Sequence, residues 1–234
     1  MLEVNEIIGG YGEKRILNQV SFYVAPSEIV GLAGPNGSGK STVLKSIYGF
    51  LRIDEGKILY SGMEIQNRKP SLNAAEGIGY IPQGNKIFDR LTVFENLELG
   101  GFVLRDKKEV LRRIDEIYEL FPVLKTNRDR IAGKMSGGER QMLGISRGLI
   151  QNPKLVLMDE PSVGLAPKLV GLTMGTIKKI RNQFKVTLLV VEQNVREVLK
   201  IVDRAYVLRL GRIILEESRV TPESEQRIRS VFLG

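Results

Sequence analysis

The chain has 234 residues, of which 42% are hydrophobic and 26% charged, a balance that supports a sizeable buried core and argues against disorder. Its formal charge of +8 suits an anionic ligand, a nucleic acid or an acidic membrane surface without choosing among them. Cysteine and histidine are both absent, which excludes disulfides, thiolate and imidazole metal sites and Ser-His-Asp catalysis, so any chemistry must rest on carboxylates, lysine or metal-bound water.

Along the chain, Leu2 to Ile8 and Val20 to Val24 alternate apolar and polar residues around a glycine-rich turn, as antiparallel strands do. Glu28 to Ala33 is a short apolar run, and Val43, Leu44, Ile47 and Tyr48 then show helical spacing up to a stop at Gly49. Short strand patterns run from Ile53 to Ile81, with turns expected at Asp54-Glu55-Gly56 and Ser61-Gly62. Val110, Leu111, Ile114, Ile117, Tyr118 and Phe121 then form one apolar helix face ending near Pro122. Buried-type runs at Leu155 to Met158 and Thr187 to Val191 alternate with helical segments, which predicts parallel strands with crossover helices. A hairpin around Gly211 and a short helix begun by Thr221-Pro222-Glu223 close the chain. The expected architecture is one α/β domain. Residues 1–84 and 151–234 form a mainly parallel core with an antiparallel β layer, and 85–150 form an inserted, mainly helical subdomain.

No apolar run approaches the roughly 20 residues that span a bilayer, and the N-terminus lacks the regions of a signal peptide, so a soluble cytoplasmic chain is expected. Basic residues such as Lys107, Lys108, Arg112 and Arg113 are dispersed and read as a solvated helical face, so no nucleic-acid partner is expected.

Gly34-Pro35-Asn36-Gly37-Ser38-Gly39-Lys40-Ser41, followed by Thr42, fits G-x-x-x-x-G-K-[ST] between an apolar strand and a helix. Glycines let successive N–H groups turn towards phosphate oxygens, and the helix start adds partial positive charge. Lys40 can reach the outer phosphates and the Ser41 hydroxyl can ligate magnesium, which makes Mg-ATP the expected ligand. The bland alternative is an ordinary glycine-rich turn. Far downstream, Leu155-Val156-Leu157-Met158-Asp159-Glu160 ends a buried strand on two carboxylates. Asp159 can hold the magnesium shell and Glu160 can polarise an attacking water; alone, the pair could simply mark a helix start.

Ser136-Gly137-Gly138-Glu139 opens another helical pattern. Ser136 and Glu139 make a capping box, which needs no ligand. Two glycines in the first turn lower helix propensity and expose backbone N–H groups, which favours an anion site.

With these three motifs in one chain, the sequence resembles the ABC transporter ATPases over nearly its whole length. The resemblance implies a head-to-tail dimer, of like or of related chains, in which Ser136, Gly137, Gly138 and Glu139 of one subunit close over ATP on the phosphate loop of the other. It further implies that Tyr11 stacks on adenine and that Gln83, after Ile81-Pro82, touches magnesium and leads into the helical subdomain facing a membrane permease. Two positions depart from most relatives. Gln193, in Val190-Val191-Glu192-Gln193-Asn194, stands where a histidine is usual, and Ala166 stands where an aspartate is common. Glutamine can donate a hydrogen bond to the γ phosphate but cannot carry imidazole's proton; alternatively Gln193 only precedes a helix capped by Asn194.

The same departures, with Gly164-Leu165-Ala166-Pro167, Met142-Leu143 and Gly100-Gly101-Phe102, resemble the ATP-binding subunits of branched-chain amino-acid importers. That resemblance implies an ATPase on the cytoplasmic face of the membrane, peripheral to permease subunits and served indirectly by a substrate-binding protein. Two alternatives stand beside it: a soluble ABC-type ATPase acting on nucleic acid or the ribosome, and a nucleotide-gated binding module that hydrolyses weakly.

Overall fold

The computed structural model describes residues 1–84, 86–104 and 106–233, the side chains of Arg229, Phe232 and Leu233 excepted. Residue 85, the expected first residue of the helical insertion, lies outside the described residues. From the N-terminus, β1 (Leu2–Tyr11) and β2 (Lys14–Val24) make an antiparallel hairpin. Then β3 (Ile29–Ala33) leads through the glycine-rich loop into α1 (Lys40–Tyr48), which stops where Gly49 takes φ 94°. After these come β4 (Ile53–Tyr60), β5 (Met63–Glu64), α2 (Pro70–Ala75) and β6 (Ile78–Ile81). Helices α3 (Val93–Gly100), α4 (Lys107–Leu120), α5 (Pro122–Thr126) and α6 (Gly137–Leu149) occupy the stretch before β7 (Leu155–Asp159). The chain closes with α7 (Pro167–Phe184), β8 (Thr187–Glu192), α8 (Val195–Val198), the hairpin β9 (Arg204–Arg209) and β10 (Arg212–Glu217), and α9 (Pro222–Leu233).

Two sheets result. The larger runs β10-β9-β3-β8-β7-β6, parallel throughout except for the antiparallel edge strand β10. The smaller, β2-β1-β4-β5, is antiparallel. Every residue of β3, β7 and β8 is buried, because both faces of the parallel sheet are covered. Alternation divides them: Ile29, Leu188 and Val190 point into one core with the helices α3 to α8, whereas Val30, Leu189 and Val191 point into another with α1 and the antiparallel sheet. Among the described residues no helix is long and apolar enough to cross a membrane.

The structure differs from the sequence reading in two places here. The turn expected at Asp54-Glu55-Gly56 is a bulge inside β4, where the register with β1 shifts and Gly56 takes φ 89°. Helix α2 was not expected among the strands; it buries only Asn73, so it carries no apolar stripe for periodicity to reveal.

What matters for chemistry is the edge of the parallel sheet. The chain leaves β3, β6, β7 and β8 at their C-terminal ends through Gly34, Pro82, Glu160 and Gln193, the side where open α/β sheets bind ligands.

Candidate active site

The loop after β3 is shaped by contacts that only glycine allows. A Cβ at Gly34 would lie 2.3 Å from the Leu208 carbonyl oxygen, and Gly39, at φ 106°, turns the chain into α1 as its N-cap without any capping side chain. The first turn of α1 therefore keeps its N–H groups unclaimed by a side chain, a ready anion site. Ser38 is buried, and its hydroxyl finds no partner among the described residues. An orphaned donor of this kind is costly in a finished core, and a polar ligand on the loop would satisfy it.

Lys40 is 4% exposed. Its ammonium donates to the carbonyls of Gly34 at 2.9 Å and Pro35 at 3.1 Å, and lies 3.3 Å from a Glu160 carboxylate oxygen. Ser41 Oγ donates to Asp159 Oδ1 at 2.7 Å, and the Tyr80 hydroxyl donates to Oδ2 at 3.2 Å. Burial, with the neighbouring Asp159 charge, raises the Tyr80 phenol well above its ordinary value, so it remains a donor. Gln83 Nε2 donates to Glu160 Oε2 at 2.9 Å, which places Gln83 on Glu160 and not on Ser41 or Asp159. Glu160 itself adopts φ 45°, a conformation a non-glycine residue holds only under constraint. Its amide donates to the Val191 carbonyl, tying the turn after β7 to β8.

Lys40, Ser41, Gln83 and Glu160 open onto one cavity of about 440 Å³, lined also by Asn36, Gly37, Gly39, Thr42 and Gln193. Gln193 lines the same cavity as the phosphate loop, while Asn194 caps α8 by accepting from the Glu197 amide. Ile16 and Val163 add apolar wall that no motif signalled. Tyr11 does not line the cavity. It is 48% exposed, and the Lys45 ammonium donates to its hydroxyl at 3.3 Å and sits 5.7 Å from the ring centroid.

Magnesium fits this donor set. Ser41 and Asp159 offer hard oxygens within hydrogen-bond distance of each other, and no cluster of three or more acidic ligands exists among the described residues. Mg²⁺ is commonly held by one or two protein oxygens with phosphates and waters completing its shell.

The start of α6 stands apart. Ser136 Oγ accepts from the Glu139 amide at 3.3 Å, and Glu139 Oε2 accepts from the Ser136 amide at 2.8 Å, so the capping box is formed. The backbone and side-chain hydrogen bonds from Ser136 hold the Glu139 carboxyl below its usual range. A Cβ on Gly137 would meet nothing within 4 Å, and its backbone needs no positive φ. Nothing within the chain demands glycine there. None of Ser136, Gly137, Gly138 or Glu139 lines the cavity.

Two further residues lie within the motifs but are given no role of their own by the sequence. The Gln141 amide donates to the Pro161 carbonyl, and the buried Glu192 accepts from the Ser162 amide at 2.8 Å, so the loop after Glu160 is held from α6 and from β8. Burial raises the Glu192 carboxyl above its ordinary value. Ala166 begins α7 with no side-chain cap.

Comparison with known proteins agrees with this geometry. The chain is 42% identical over all of its 234 residues to the high-affinity branched-chain amino acid transport ATP-binding protein BraG of Pseudomonas aeruginosa, covering the whole of that protein. It is 41% identical to a branched-chain amino acid transport ATP-binding protein, LivF, of Archaeoglobus fulgidus, over 91% of this chain and 90% of that one. A crystal structure of a nucleotide-free ATP-binding cassette from an ABC transporter superposes with a TM-score of 0.86 at 31% identity, covering 98% of this chain and 95% of the other. Residues 17–163, which carry the phosphate loop, Gln83, the start of α6 and both carboxylates, match the family described as ABC transporter, and the chain belongs to that family.

Proposed function

We propose that this chain is the ATP-hydrolysing subunit of an importer for branched-chain or related amino acids, acting on the cytoplasmic face of the membrane beneath permease subunits. The observation that carries the chemistry is that Lys40, Ser41 and Glu160 line one cavity, with Asp159 hydrogen-bonded to Ser41. The full-length likeness to BraG supports the substrate class.

In this reading the amides of Gly34 to Thr42 and the Lys40 ammonium bind the phosphates of ATP, and Tyr11 stacks on the adenine. Lys40 exchanges its own loop carbonyls for phosphate oxygens, a charge-assisted contact. Ser41, Asp159 and Gln83 offer oxygens to Mg²⁺, which when bound neutralises charge on the phosphates. Glu160, buried and held by Gln83, orients and polarises the attacking water. Gln193 donates a hydrogen bond towards the γ phosphate from the end of β8, the strand beside β3. The open Ser136-Gly137-Gly138 turn supplies helix-terminal amides to the nucleotide of a second ATPase chain.

Residues 1–84 with 151–234, and 85–150, are read as the catalytic core and a helical arm turned to the permease. A groove of about 270 Å³ where β6 meets α3 and α6, with Pro82, Leu99 and Arg147 in its wall, supports this docking side. The test is reconstitution with the permease pair and substrate-binding protein of a branched-chain amino-acid importer. ATP-dependent uptake of leucine into vesicles is expected; ATP hydrolysis without uptake of any branched-chain or related amino acid would contradict the substrate assignment.

A further inference from the structure

Tyr80 has no role in the reading above, yet its hydroxyl reaches the carboxylate at the centre of it. It sits in β6 beside β7, in register with Leu157. Its ring is held by other rings: Tyr48 lies 5.2 Å away between centroids, and Phe50 meets it edge-on at 5.4 Å. The ring also borders the groove shared with Pro82 and Arg147, so its surroundings are not packed on every side.

Asp159 is 4% exposed, and a carboxylate this buried depends on the chain to satisfy its oxygens. Two side chains do so, each on a different oxygen: Ser41 on Oδ1 and Tyr80 on Oδ2. They are not equivalent. Ser41 is itself a ligand candidate, so its hydrogen bond to Asp159 is the one that cation binding would rearrange. The phenol of Tyr80 has no such second duty. It holds Oδ2, the oxygen that Ser41 leaves free.

We propose that Tyr80 is a positioning residue whose hydroxyl orients the Asp159 carboxylate for the divalent cation, a role that rests on assigning Asp159 to that cation. Partners of this kind commonly change metal affinity by about 10-fold or more when removed.

The test is Mn²⁺ binding, followed by electron paramagnetic resonance on the full chain loaded with ADP, alongside ADP affinity in excess chelator. Tyr80→Phe keeps the ring and removes the donor. It is expected to raise the Mn²⁺ dissociation constant about 10-fold, leaving chelator-phase ADP affinity at its wild-type value and lowering the thermal midpoint as loss of a donor to a buried carboxylate requires, whereas Tyr48→Phe should match wild type throughout. Tyr80→Leu, which also removes the ring, should lower the thermal midpoint further yet weaken Mn²⁺ no more than Tyr80→Phe. Weakening confined to Tyr80→Leu, or an equal loss of ADP affinity without metal, overturns the positioning role. A wild-type chain that binds ADP but never Mn²⁺ overturns the cation assignment of Asp159 itself, and Tyr80's role with it.

Discussion

The phosphate loop and the start of α6 are both glycine-rich turns opening a helix, and they differ in what the rest of the chain places around them. Around the loop after β3, the chain gathers Asp159, Glu160, Gln83 and Gln193 from three other strand ends, and Lys40 contacts two carbonyls and a carboxylate. Around Gly137 it places nothing, and the local capping box is complete by itself. One turn is a site within its own chain. The other is finished as a helix start, and nothing in its own chain calls for glycine at 137.

Glu160 is where that contrast breaks most severely. Glu160→Gln retains the Gln83 and Lys40 neighbours but loses the base, so ATP turnover should fall roughly 10²- to 10⁴-fold with nucleotide binding intact; phosphate release by the assembled complex measures it. Lys40→Met removes the ammonium from the loop. Loss of a charge-assisted contact of about 1.5–3 kcal/mol corresponds to roughly 10- to 100-fold weaker ATP binding, read by fluorescence titration. Smaller effects separate the two roles at α6. Ser136→Ala should cost about 1 kcal/mol of folding stability through its cap. Gly137→Ala should leave stability unchanged or raise it by at most about 1 kcal/mol, in chemical denaturation, while lowering turnover. A Gly137→Ala chain with wild-type turnover would mean that the open turn has no partner.

What could be read from sequence follows the same division. The phosphate loop, the Asp159-Glu160 strand end and the capping box are contiguous, so spacing alone exposed them. The parallel strands followed from continuous apolar runs in β3, β7 and β8, whose residues pack into both cores, and the antiparallel hairpin from alternation in β1 and β2. The roles of Tyr80, Gln141 and Glu192 were invisible because each residue acts through a contact distant in sequence: a phenol on Asp159, an amide on Pro161, a buried carboxylate on Ser162. No periodicity encodes such pairs. The misread turn at Gly56 shows the converse, since a glycine-bearing bulge and a loop share the same local composition.

Hydrogen exchange on the Glu160→Gln chain within its assembled complex, with and without Mg-ATP, tests the central claim most directly. Two chains enclosing each nucleotide predict slowed exchange at both Gly34 to Thr42 and Gly137 to Glu139. Protection of the phosphate loop alone, with the amides at the start of α6 exchanging as fast as before, would contradict it.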